Sequence, residues 1–186
     1  KTAYEMVRSR VGSEMCIRDS GVTRREDDVP LDGFSAGGQL YAVFSSNHFR
    51  SRRVMGRSVI ARADTNLVID PAVRRRPIRF RVLATFSERH FLTVSAQVRP
   101  ASAVPGCGPD GDVVLIWGSG PYRASEARLA LLDQAALARL DAVSRPIPTA
   151  ELGVRYFNGT GWSDAEDDAA PLFGPAALGE LCVRWV

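Results

Sequence analysis

Lysine is all but missing: Lys1 is its single occurrence among 24 basic residues. The arginine bias reflects a GC-rich coding sequence and carries no nucleic-acid signal by itself. Cysteine is scarce too, since Cys16, Cys107 and Cys182 are too few for a disulfide framework and wrongly spaced for a structural zinc site. Cys107 falls in a Pro/Gly-rich loop and Cys182 in an apparent strand; two free thiols are the preferred reading, a single bridge between them the alternative. Histidine occurs only at His48 and His90, too isolated for a metal centre, so the sequence calls for no metal or cofactor. There is no run of about 18 apolar residues, which excludes a transmembrane helix, and no basic start followed by an apolar stretch that would mark a secretion signal.

What is present divides unevenly. Tyr4, Val7, Val11 and Met15 recur at helical spacing, so an amphipathic N-terminal helix is one reading. The other reads residues 1–20 as a translated sequencing adaptor: Met15-Cys16-Ile17-Arg18-Asp19 is what ATG TGT ATA AGA GAC encodes, and Val11-Gly12-Ser13-Glu14 fits the bases upstream. We adopt the second, set residues 1–20 aside and take 21–186 as the domain. Removing four of the 24 basic and three of the 21 acidic residues leaves 20 against 18, a net charge of +2. No nucleic-acid partner follows from so small a balance. A chain of this length suits one domain that buries roughly two-thirds of the surface it exposes when unfolded.

Short apolar or alternating runs bounded by Gly, Pro, Asp and Asn predict β-strands at residues 39–45, 57–63, 78–86, 91–98, 112–118, 127–132, 153–157 and 180–186. One helix is predicted over 134–143, with apolar positions at Ala136, Leu137 and Leu140, and Pro146 and Pro148 stop it. The strands also repeat as a group. Residues 40–46, closing at Phe49, parallel 113–119, closing at Tyr122; 58–64 parallel 127–133; and 81–86 parallel 153–157. Self-similarity in units of about four strands is the signature of a β-propeller blade. The competing reading is a single β-sandwich whose strands look alike. The expected fold class is therefore all-β, with antiparallel sheets forming a propeller fragment of about two blades plus the first strand of a third. So few blades do not close a ring of roughly four to eight; both ends read as cut, and the piece alone is expected to be inactive and poorly soluble.

Five motifs in order carry a resemblance: GFSAGGQLYAVF from Gly33, MGRSVIARAD from Met55, LIWGSGPYRASEARLAL from Leu115, VRYFNGTGWSDAEDDAAPLF from Val154 and GELCVRWV from Gly179. Together they resemble the domain-of-unknown-function 4185 family, over nearly all of residues 32–186. The resemblance implies a five-bladed propeller grouped with glycoside hydrolases, endo-acting on cell-wall D-arabinan, and a secreted or cell-envelope location for the whole protein. Its partner would be a polysaccharide or oligosaccharide. A non-catalytic carbohydrate-binding propeller is the alternative, and no oligomeric state is implied.

Glycosidase chemistry needs two carboxyl groups flanking the scissile bond. In a propeller the first strand of each blade lines the central channel, so carboxylates that open those strands converge. Asp32 and Glu180 are the catalytic candidates, with His90 in the matching place between them. Arg184 lies on the same face of a strand as Glu180, where it would lower the carboxyl pKa or simply pair with it. For Asp32 the alternative is an ordinary Leu31-Asp32-Gly33 turn. Arg57, Trp117, Tyr122 and Arg123 are candidate sugar contacts, although blade packing explains the aromatics equally well. Asp164 with Glu166, Asp167 and Asp168 reads as a solvated loop in preference to a cation site. Ser119, in Gly118-Ser119-Gly120, lacks the flanking pattern of a phosphate loop or nucleophile elbow.

Overall fold

The structure is a computed structural model and describes residues 26–49, 56–64, 80–121, 125–178 and 181–184. Two antiparallel sheets follow one another. The first runs β1 (Glu26–Ala36), β2 (Gln39–Phe49), β3 (Arg57–Ala63) and β4 (Phe80–Ser87), in spatial order 1-2-3-4. Its opening hairpin turns on Gly37 and Gly38, with φ of 56° and 76°. A two-residue loop with positive φ matches the right-handed twist of the flanking strands, and two glycines take that shape without a Cβ clash.

The second sheet runs β5 (Thr93–Pro100), β6 (Asp112–Ser119), β7 (Ser125–Leu132), β8 (Arg155–Phe157) and β9 (Trp162–Ser163), while β10 (Phe173–Leu178) pairs with β7. Two helices, α1 (Gln134–Ala142) and α2 (Thr149–Leu152), are inserted between β7 and β8. Asp133 caps α1, its carboxylate accepting the Ala136 N–H at 2.9 Å, which satisfies one of the donors that a helix start leaves unpaired. The insert is tied back to the first sheet: Ile147 bridges Ala84, and Thr149 Oγ1 donates to the Thr85 carbonyl at 2.8 Å.

Alternation along the strands explains the packing. In β2, Tyr41 and Val43 face a core shared with Val94, Ala96, Val114, Ile116 and Tyr156 of the second sheet and Leu140 of α1. Phe44 faces the other way, with Val59 and Ala61. The second sheet likewise carries Val113 and Leu131 on its outer side, beneath Ala101 and Val104. Each sheet is thus apolar on both faces, and among the described residues Val29 and Phe173 are the large apolar side chains left exposed.

The repeat maps strand for strand: 40–46 and 113–119 fall in the second strands, 58–64 and 127–133 in the third, and 81–86 and 153–157 in the fourth. The helix lies within one residue of its prediction. Asp32, read as opening a first strand with a turn as the alternative, stands inside β1. Two expectations are corrected. Short strands β9 and β10 extend the second sheet. Leu181–Arg184, expected as part of a strand, joins no ladder and lies against β5 through side-chain hydrogen bonds, Gln97 Nε2 reaching the Val183 carbonyl at 3.1 Å. The two sheets remain open, with no closed ring among the described residues. No described helix is long and apolar enough to cross a membrane.

Candidate functional site

The first strands of the two sheets, β1 and β5, lie side by side, and Asp32 sits at their seam. A register shift between Pro30 and Asp32 in the β1–β2 ladder re-aims the strand there. One carboxylate oxygen, Oδ2, accepts from Ser95 Oγ at 2.9 Å, the Ala96 N–H at 2.9 Å and Arg184 Nη1 at 3.1 Å. The other, Oδ1, accepts from the Gly33 N–H at 2.9 Å and Arg184 Nη2 at 3.2 Å. A carboxylate offers about four lone-pair positions; five donors fill them. The Asp32 side chain is 14% exposed and its Arg184 partner 49%. Hydrogen bonding to Asp32, ahead of its charge, raises the Arg184 pKa.

The other predicted residues scatter. Glu180, Tyr122 and Arg123 lie outside the described residues. Trp117 pairs with Ser95 across β5 and β6, so it shares a sheet face with the seam and is half-buried there. Arg57 opens β3, opposite Ser46, and is not brought to Asp32 by any described contact. His90 belongs to the loop before β5, where its N–H donates to Glu166 at 2.8 Å and its Nε2 stands 4.0 Å from Asp167. Both Cys107 and Cys182 are free thiols.

That loop leads to a concavity of about 770 Å³ where the end of β4, the helical insert and β8 meet. Glu88, Arg89, Arg139, Thr149, Tyr156 and Glu166 are among its lining residues. Glu166 anchors the loop: its Oε1 accepts from Ser87 Oγ at 2.5 Å as well as from His90. Arg89 pairs with Asp167, and Asp168 accepts from Ser163 Oγ at 2.5 Å. The acidic run therefore organises its own loop, and no cluster of three metal-ligating side chains occurs among the described residues.

Burial first, and the Arg128 charge second, hold His90 below the histidine value of 6.5, against the opposing pull of Glu166 and Asp167. A depressed pKa means that the folded chain binds the proton less readily than the unfolded one. Stability is therefore lost as pH falls from about 6.5 through the folded value. An NMR titration is expected to place the His90 midpoint below 6.5, and Arg128→Ala to move it upward; a midpoint above 6.5 would contradict the burial argument.

The groove residues come from four separated stretches, around 85–89, 133–139, 148–156 and 164–166. No local spacing could announce them, and only the acidic run drew notice in the sequence. Compared with known proteins, the chain matches no family model and no curated protein.

Proposed function

We propose that this chain is part of a carbohydrate-binding β-propeller and that a neutral furanose oligosaccharide lies in the groove beside Glu166. Support for the propeller comes from the strand-for-strand repeat, from sheets apolar on both faces, and from Leu181–Arg184 lying along β5, where a further first strand would pass.

The observation that carries the functional reading is the state of Asp32. Hydrolysis needs two carboxyl groups free to act across one glycosidic bond, roughly 5 to 9.5 Å apart. Five donors occupy Asp32, so it has no acceptor position to offer a water or a sugar. The groove, by contrast, presents hydroxyls, carboxylates and guanidiniums to solvent, a lining suited to polyhydroxylated rings.

Titration calorimetry with a D-arabinofuranose tetrasaccharide, run beside a reducing-end assay, tests this. Saturable binding without release of reducing ends is expected. Absence of binding overturns the reading, as does release that Asp32→Asn abolishes in a chain that still melts like wild type.

A further inference from the structure

Two buried tyrosines contrast. Tyr41, 1% exposed, donates its hydroxyl to Asp141, which also takes Arg62. Tyr156, 2% exposed, has a buried hydroxyl with no partner among the described residues. An uncompensated buried hydroxyl is destabilising, and folded proteins keep few of them without a reason. Tyr156 also lines the groove, packed against Phe91. Its neighbour there is Glu166, whose Oε1 is held by Ser87 and His90 while its second oxygen accepts nothing from the described residues.

We infer that Tyr156 and Glu166 form a subsite for one hydroxyl group of a neutral polyol. This rests on the groove reading above and deepens it. The ligand oxygen accepts from the Tyr156 hydroxyl, and the ligand proton is donated to the free oxygen of Glu166. A group must both accept and donate to complete this pair, which selects a hydroxyl. A carboxylate has no proton to give, and a carboxylate or phosphate alike meets the Glu166 charge; an ammonium cannot accept from tyrosine. Arg89, which also lines the groove, disfavours a cation further. The Tyr156 hydroxyl is covered, so the ligand reaches it only when a rim side chain turns aside.

The test is Tyr156→Phe in the full 186-residue chain, with the arabinofuranose tetrasaccharide as probe and Ala150→Trp as companion. Ala150 is an exposed groove residue on α2, where a tryptophan is expected to fill the groove. Tyr156→Phe is expected to weaken binding about tenfold, the scale of one hydrogen bond to a charged network. Its melting midpoint should equal or exceed that of wild type, because the hydroxyl removed has no partner to lose. Unchanged affinity overturns the subsite, and so does a lowered midpoint, which would reveal a protein partner for the hydroxyl. Should Ala150→Trp abolish binding while Tyr156→Phe does not, the groove stands and the subsite falls; should neither variant alter binding, both fall.

Discussion

Asp32→Ala is expected to lower the melting midpoint by about 5 to 10 °C. The side chain is 14% exposed and joins three parts of the chain: β1 itself, the edge of β5 and Arg184. Removing it strands the Ala96 N–H, on a residue 5% exposed, while Ser95 Oγ falls back on the longer contact with the Val183 carbonyl at 3.3 Å. Unpaired buried donors cost about 1 to 3 kcal/mol each, and partial rehydration recovers some of that. A net loss of roughly 2 to 3 kcal/mol corresponds to the stated shift for a chain of this length. The half-exposed Arg184 contributes little of it, since solvent-exposed ion pairs are worth about 0 to 1 kcal/mol. Arg184→Ala should therefore move the midpoint by no more than about 3 °C. Circular-dichroism melts of the two variants separate the cases. If Asp32→Ala melts like wild type, the carboxylate is not a fastener and a role in chemistry regains its place.

The same residue shows where sequence reasoning stops. Alternation of apolar and polar side chains predicted β3 to the residue and β6 nearly so, because both strands face apolar material on two sides and are bounded by turn residues. β1 carries Pro30, Asp32 and Gly33, residue types common in loops, yet it is a strand, since its position at the edge of the sheet tolerates a missing N–H and a bulge. The C-terminal run had the right alternation and no ladder to join, so Leu181–Arg184 rests on β5 without pairing. Asp32 was singled out in the sequence as a candidate carboxylate, but its five donors were not legible there, two of them being backbone N–H groups that no side-chain pattern encodes. The groove was invisible for a related reason. Ser87, His90, Tyr156 and Glu166 meet only after the helical insert has folded back on β4.

Gly118→Ala is expected to be the more damaging change, costing about 3 kcal/mol or more. Gly118 does not adopt a left-handed backbone; space, and not φ, requires glycine there. A Cβ would stand 2.2 Å from Phe91 Cδ1 and 3.0 Å from its Cα, so both ring and backbone would have to yield. Neither can do so alone. The Phe91 ring is fully buried between Phe86 and Tyr156, at centroid distances of 5.7 and 5.6 Å. Its backbone is pinned from one sheet by Ser58 Oγ at 2.6 Å, and the adjoining Leu92 N–H is held from the other by the Ser119 carbonyl at 2.8 Å. The Gly118-Ser119-Gly120 run, which resembled no catalytic loop, thus has a packing explanation: β6 must pass directly over Phe91. Gly108→Ala and Gly161→Ala are the controls, since a Cβ at either position meets nothing within 4 Å, and each should stay within about 0.5 kcal/mol of wild type. Denaturant melts of the three variants test the contrast, and a Gly118→Ala chain as stable as its controls would refute it. Phe91 adjoins His90, whose N–H holds Glu166. Any chain that survives the substitution by shifting Phe91 must therefore also shift the anchor of the groove, so weaker oligosaccharide binding should accompany the lost stability.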